Sequence, residues 1–425
     1  MIGSILPVGW SSKRLKYVAT YNDEVLPEST AEEQEIDYVE ISGVSPTRGI
    51  EEVQRVSFGR APSRARRKVR SGDILVSTVR TYLRAIAKVD EASPDLIAST
   101  GFCVVRPGDK VDSSYIGWAA KSEPFVSEVV ARSVGVSYPA INASELVTIE
   151  VPLPPLDIQR RIARFLDKKT ARIDGLIEKK RVLLDRLAEK RQALITRAVT
   201  KGLKTDAPMK PSGIEWLGEI PLHWQTGNIR RFARMKTGHT PSRSTPGYWD
   251  DCNIPWFTLA DVWQLRDGTR WYLEETAEQI SELGLANSAA ELLPAGTVVF
   301  SRTASVGYSG IMPKPMATSQ DFWNWICGAQ LIPEYLLLLF RCMIQKFEES
   351  TSGSTHKTIY QGIAAGFEIC IAPLEEQKAI ADYVFEKTRA IDETVIRVRK
   401  SVEGLTEYRA ALITHAVTGQ IKDLQ

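Results

Sequence analysis

Ala193-Leu194-Ile195-Thr196-Arg197-Ala198-Val199-Thr200 returns, almost letter for letter, as Ala411-Leu412-Ile413-Thr414-His415-Ala416-Val417-Thr418. Working outward, the match persists at one constant offset. Pro155-Leu156-x-x-Gln159 recurs as Pro373-Leu374-x-x-Gln377, Lys169-Thr170 as Lys387-Thr388, and Ile173-Asp174 as Ile391-Asp392. A gapless repeat over roughly fifty residues marks a duplicated structural unit. Both copies read as helices. A proline precedes each start, an acid (Asp157, Glu375) sits in each first turn, no proline interrupts, and Gly202 and Gly419 mark the ends.

The apolar positions fall in alternating steps of four and three. The second copy runs Ile391, Val395, Val398, Val402, Leu405, Leu412 and Ala416, with Arg409 intruding. The first runs Ile173, Ile177, Leu184, Leu187, Leu194 and Ala198, with Lys180 and Arg191 intruding. That is a coiled-coil seam, and two such helices in one chain can bury their seams against each other. Arg191 and Arg409 take equivalent seam positions.

A weaker repeat precedes each helix. Pro7-Val8-Gly9-Trp10 parallels Pro221-Leu222-His223-Trp224, and each is followed by a basic, apolar stretch. Ser71-Gly72-Asp73-Ile74-Leu75-Val76-Ser77 parallels Ala295-Gly296-Thr297-Val298-Val299-Phe300-Ser301, a turn leading into a strand. Gly135 and Gly353 precede comparable segments. The order is globular half, helix, globular half, helix. The expected architecture is therefore mixed α/β. It has two globular domains at 1–150 and 205–368, helical regions at 151–204 and 369–425, and an internal pseudo-two-fold repeat. The halves agree far less than the helices do, which suggests one scaffold presenting two surfaces.

Composition excludes several classes. The 425 residues exceed one ordinary core. No run of about 18 apolar residues, the length of a membrane span, occurs, and no signal peptide is read at the N-terminus. Five scattered cysteines without a C-x-x-C pair suit free thiols in a reducing cytoplasm rather than disulfides or zinc. Phosphate-loop, dinucleotide and metalloprotease motifs are missing, as is Asn-Pro-Pro followed by an aromatic. The four histidines form no ligand set, so no catalytic residue, metal or directly bound cofactor is expected.

The net charge is only +2, so local charge decides. Arg60, Arg64, Arg66, Arg67, Lys68 and Arg70 crowd eleven residues without an acid, which suits contact with phosphates. After the strand Ile74–Ser77 come Arg80, Tyr82 and Arg84, which can reach base edges or stack. The second half offers different donors in comparable places: His239, Thr240, Ser242 and Arg243; Ser301, Arg302 and Thr303; Gln320; and Ser354, His356 and Lys357. Glutamine can pair bidentately with adenine and arginine with guanine. The first long helix is basic, with 15 Lys plus Arg against 6 Asp plus Glu over 156–204, and the second is balanced at 8 against 9 over 374–425.

The paired Pro-Leu-x-x-Gln helices ending Ala-Leu-Ile-Thr-x-Ala-Val-Thr resemble the two helical regions of Type I restriction-modification specificity subunits. Trp216-Leu217-Gly218-Glu219-Ile220-Pro221-x-x-Trp224 is similar to the opening of that family's second recognition domain. Further similar segments are Thr240-Pro241-Ser242-Arg243, Tyr248-Trp249, Ile254-Pro255-Trp256 and Phe300-Ser301-Arg302-Thr303. The first half departs, with Ser77-Thr78-Val79-Arg80 where the second has Ser-Arg-Thr. The resemblance implies two target-recognition domains on an antiparallel helix pair, each reading one half of an asymmetric site in double-stranded DNA. It implies two methylation subunits and restriction subunits as partners, with AdoMet, ATP and Mg held by those partners. Two other readings stay open on the residues alone: a DNA enzyme with its own methylation or cleavage centre, and a coiled-coil adaptor that binds only proteins.

Overall fold

The computed structural model describes residues 6–344, 346–347 and 358–425, so Ser354, His356 and Lys357 lie outside the described residues. The chain divides into two compact units, Met1–Arg181 with Arg399–Gln425, and Val182–Val398. Each unit combines one globular half with the adjoining stretch of both long helices, Leu156–Lys201 and Leu374–Val417.

In the first unit a four-stranded antiparallel sheet is ordered Ala19–Tyr21, Phe102–Pro107, Ile74–Ser77, Ile86–Lys88. In the second unit the counterpart is Ala233–Thr237, Phe322–Cys327, Val298–Ser301, Ser309–Ile311. The strands Ile74–Ser77 and Val298–Ser301 are buried at every position, as their unbroken apolar runs require of interior strands. Gly72 and Gly296, at φ +89° and +82°, make the preceding turns in a conformation that favours glycine. A second sheet in each half contains one parallel pair, Glu35–Val39 with Leu96–Ser99 and Ile254–Phe257 with Ala317–Thr318. The Phe322-Trp323-Asn324-Trp325 stretch is core, as is Tyr335–Phe340.

Within each unit the helices run antiparallel. Ile162, Ala163 and Leu166 near the start of the first helix share a core with Ile413, Ala416 and Val417 at the end of the second. In the other unit Ile195, Ala198 and Val199 meet Ile380, Ala381 and Val384. The seam arginines each meet an aspartate, and the two contacts are related by the repeat. Arg409 Nε lies 2.8 Å from Asp174, and Arg191 Nε 3.1 Å from Asp392. Each also donates to a carbonyl of its own globular half, Arg409 to Thr47 and Arg191 to Gly268. A second cation stands nearby in each case. Lys121 shares the field of Arg409 and Asp174, and Arg341 that of Arg191 and Asp392.

The other repeated letters acquire matching roles. The Gln159 carbonyl accepts from the backbone N–H of Asp112 and its amide donates to Pro154 O, while Gln377 does the same with Ile332 and Ala372. Tyr115 donates to Val417 O, and Tyr335 to Val199 O. Gly202 and Gly419, at φ +71° and +72°, end the helices. A Cβ on Gly202 would stand 3.2 Å from Trp224, and one on Gly419 would run into Pro7 and stand 3.3 Å from Trp10. The Pro-x-x-Trp motif of each half thus closes over the helix-ending glycine of its unit.

Two outcomes follow from these clusters. Asp392→Asn leaves Arg191 without its paired carboxylate and should cost about 3 kcal/mol in urea unfolding of the full chain. The double change Arg191→Met with Asp392→Leu should recover part of it, because the cation is removed together with its carboxylate and only Arg341 is left to feel the lost anion. Burial, then Arg409, depress the Lys121 ammonium from 10.5 to about 8. Between those values the unfolded chain binds more protons than the folded one, so stability should rise with pH from about 8 toward 10.5. Lys121→Met should abolish that part of the rise, measured as the difference between wild-type and variant unfolding across this window.

Candidate nucleic-acid interface

The site begins where the buried strands Ile74–Ser77 and Val298–Ser301 leave their sheets. Both exits are built alike. Ser77 Oγ donates to Val79 O at 2.6 Å, and Ser301 Oγ to Thr303 O at 3.2 Å. Thr78 N–H donates to Gly101 O, and Arg302 N–H to Asp321 O. Arg80 and Ala304 both take left-handed backbone, at φ 52° and 54°. These contacts superpose Thr78 on Arg302, Val79 on Thr303 and Arg80 on Ala304. The same frame therefore carries its arginine two residues later in the first half than in the second.

In the second unit the loops named from sequence converge. Thr240 donates to Gln320 at 2.6 Å, Thr303 to Asp321 at 2.9 Å, and Ser319 to Asp321 at 2.9 Å. His239 N–H donates to Thr318 O. Gly238 makes the convergence possible, because a Cβ there would collide with Thr318 and the Ser319 carbonyl. Arg302 stacks 4.5 Å over Trp323, with its Nε buried and unpaired. Ser301 is buried and serves the loop rather than its surface. Arg243 lies 3.9 Å over Trp249 and 5.4 Å over Trp256, and pairs with Glu278 at 2.6 Å. Ser242, exposed, shares a hydrogen bond with Ser244.

In the first unit the turn at 99–101 joins the two basic segments. Thr100 N–H donates to Arg64 O, while Gly101 O accepts from Thr78. The basic run is not one uniform face. Arg60 ends a short 3-10 turn and is exposed. Arg66, Arg67 and Lys68 are half-buried in the strand Ala65–Lys68, where a register shift leaves Arg66 as the extra residue of a bulge. Arg66 stacks 4.7 Å over Phe58. Arg64 already holds Glu40 at 3.1 Å, and Arg70 holds Glu24, whose carboxyl that contact draws below the usual range. Tyr82 is exposed, and Arg84 is clamped to Glu123 by two hydrogen bonds of 2.6 and 2.9 Å.

Sequence reasoning passed over Tyr138, whose ring lies 4.7 Å beneath the Arg80 guanidinium. The two are brought together by Arg80 N–H donating to Pro139 O. The repeat alignment of Gly135 with Gly353 was the available signal. Among the described residues no group of three or more His, Cys, Asp or Glu is placed to hold a metal ion.

Residues 7–185 and 221–397 match the model of the Type I restriction modification DNA specificity domain. The chain is 29% identical over 167 residues to the Type I restriction enzyme MjaIX specificity subunit of Methanocaldococcus jannaschii, an alignment covering 39% of this chain and 38% of that one. It is 21% identical to the Type I restriction enzyme HindI specificity subunit of Haemophilus influenzae, over 85% of this chain and 89% of that one. Its fold resembles a chain solved in work on complex assembly and conformational transition of the type I R-M system. There the TM-score is 0.76 at 22% identity, with 97% and 98% of the two chains covered. It also resembles the HsdS subunit from Thermoanaerobacter tengcongensis, with TM-score 0.52, 22% identity and 99% of both chains covered.

The ion pairs sort the basic run into free and engaged cations, and salt titration reads the difference. Arg60→Ala should flatten the plot of log K against log salt by about one unit, equally for every DNA sequence. Glu40→Gln should steepen it, because Arg64 is released. A change confined to one base position would assign these residues to base reading instead.

Proposed function

The chain belongs to the Type I restriction-modification DNA specificity family, and from that premise we propose that it reads a two-part, asymmetric site in double-stranded DNA and performs no chemistry itself. One observation carries the reading: the same strand-exit frame is built twice, and the side chains mounted on it differ. A repeated frame with a repeated surface would suit a palindrome, whereas here Thr78, Val79 and Arg80 stand where the other half has Arg302, Thr303 and Ala304.

On this reading residues 1–150 and 205–368 are target-recognition domains, and 151–204 and 369–425 are the helical regions. In the second domain Thr240 with Gln320, Thr303 with Asp321, and Arg302 over Trp323 lie on neighbouring loops and supply donors and acceptors of the kind that base edges accept. Stacking on Trp249 and Trp323 restrains Arg243 and Arg302, which lowers the entropy lost on contact. In the first domain Arg60, Arg66, Arg67 and Lys68 serve phosphates, which set register without reading sequence. Two methylation subunits dock on the chain and restriction subunits join them. AdoMet, ATP and Mg are held by those partners in the cytoplasm.

Replacing residues 214–368 by the corresponding half of a relative should change one half of the methylated site in the assembled enzyme and leave the other half as it was. Single-molecule mapping of methylated positions reads this directly. If both halves change, the two domains are not independent readers. The purified chain alone should transfer no methyl group from AdoMet and cut no DNA, and turnover by the isolated chain would place a catalytic centre within it.

A further inference from the structure

The first unit carries a short hairpin, residues 133–140, whose apolar tip faces solvent. Val134 and Ala140 exchange both backbone hydrogen bonds, at 2.9 and 3.0 Å. Gly135, at φ +119°, allows the tight reversal, and a Cβ there would crowd Tyr138 O at 3.2 Å. The hairpin is fixed to the strand-exit loop at three points: Arg80 N–H to Pro139 O, Ile141 N–H to Thr78 O, and Thr81 Oγ1 with Ser133 Oγ. It is an anchored projection rather than a loose loop.

Its composition does not suit water. Val136 is fully exposed, Val134 is 81% exposed and Tyr138 61%, and Tyr82 and Leu83 on the neighbouring turn are exposed too. Isolated apolar side chains on a surface need no explanation, but a group gathered on one anchored projection does. Residues 133–141 carry no charge, while Arg80, its guanidinium 4.7 Å from the Tyr138 ring centre and without an ion pair among the described residues, stands at their base. An apolar point beside an arginine matches a surface that is apolar inside and anionic at its rim. A DNA base stack bordered by phosphates is such a surface, and apolar side chains pressed between base steps are a known way to open it.

We propose that this hairpin is a wedge: Val136, supported by Val134 and Tyr138, enters the base stack of the half-site read by the first domain, while Arg80 contacts the adjoining phosphate or base edge. The inference rests on the DNA-reading function proposed above and specifies how one half is read. Specificity would then include the ease of unstacking, which favours flexible pyrimidine–purine steps even where no base is hydrogen-bonded. By sequence the matching positions of the second half are Ser354 and His356. Both are polar, so the wedge belongs to one half-site only.

The test uses the full chain and an unmodified duplex carrying the site mapped by methylation. Permanganate and diethyl pyrocarbonate footprinting report unstacked thymines and purines. The wild-type chain should give one hyperreactive step, in one half-site. Val136→Ser, at a position where no packing is lost, should erase that step and weaken binding roughly tenfold, with the salt slope unchanged. Val136→Leu should keep the hyperreactivity. Specific binding with no hyperreactive step would overturn the wedge and leave the DNA-reading function standing. Failure of the wild-type chain and its assembled enzyme to bind the site would remove both. If Val136→Ser instead abolished copurification with the methylation subunits while leaving the footprint intact, the tip would be a protein contact and the wedge would be wrong.

Discussion

One arginine–aspartate pair in each unit, its guanidinium also donating to a loop carbonyl, ties the globular half to the helices. In one unit Arg409 pairs with Asp174, with Lys121 within their field, and in the other Arg191 pairs with Asp392, with Arg341 within theirs. The excess of positive charge is costly. Burial and the neighbouring arginine bring Arg341 down to about 9, and burial lifts the Asp392 carboxyl even though Arg191 opposes the shift. Apolar pairs at such positions are often as stable as buried ion pairs. What the charges add is direction: a guanidinium can satisfy an aspartate on the other helix and a loop carbonyl only in one register and one orientation.

That orientation is passed on to the strand exits through backbone anchors. Arg191 reaches Gly268 O, Arg409 reaches Thr47 O, and Gln159 and Gln377 tie their helix starts to the backbone at Asp112 and Ile332. From there the buried strands Ile74–Ser77 and Val298–Ser301 lead to the exits at Thr78 and Arg302. The surface can vary because little of this frame depends on it. Thr78 and Arg302 differ completely as side chains, yet each is fixed by the same backbone hydrogen bond.

A near-neutral net charge is compatible with the DNA reading proposed for this chain, because its ion pairs offset many of the basic side chains. The basic run is partly answered by Glu24 and Glu40, and Arg84 and Arg243 by Glu123 and Glu278. These arginines are held in place by carboxylates, and on the proposed reading contact with DNA would exchange one anion for another. Such exchange lowers affinity for arbitrary sequence and leaves discrimination to geometry.

Much was legible in the letters. The repeat, the helices, their glycine ends, the seam with its two arginine intruders and the turns before the buried strands all depend on short-range patterns, because periodicity and turn chemistry act over a few residues. The loops that would meet DNA were also found as segments. The pairing of Arg191 with Asp392, the gathering of Thr240, Gln320, Thr303 and Asp321, and the seat of Arg80 on Tyr138 were not readable. Each joins residues far apart in sequence through the path of the backbone. The sequence alone determined that one scaffold is used twice. Only the tertiary structure decided which side chains stand together on it, because that depends on strand register and on close approaches such as Gly238 against Thr318, which no local pattern encodes.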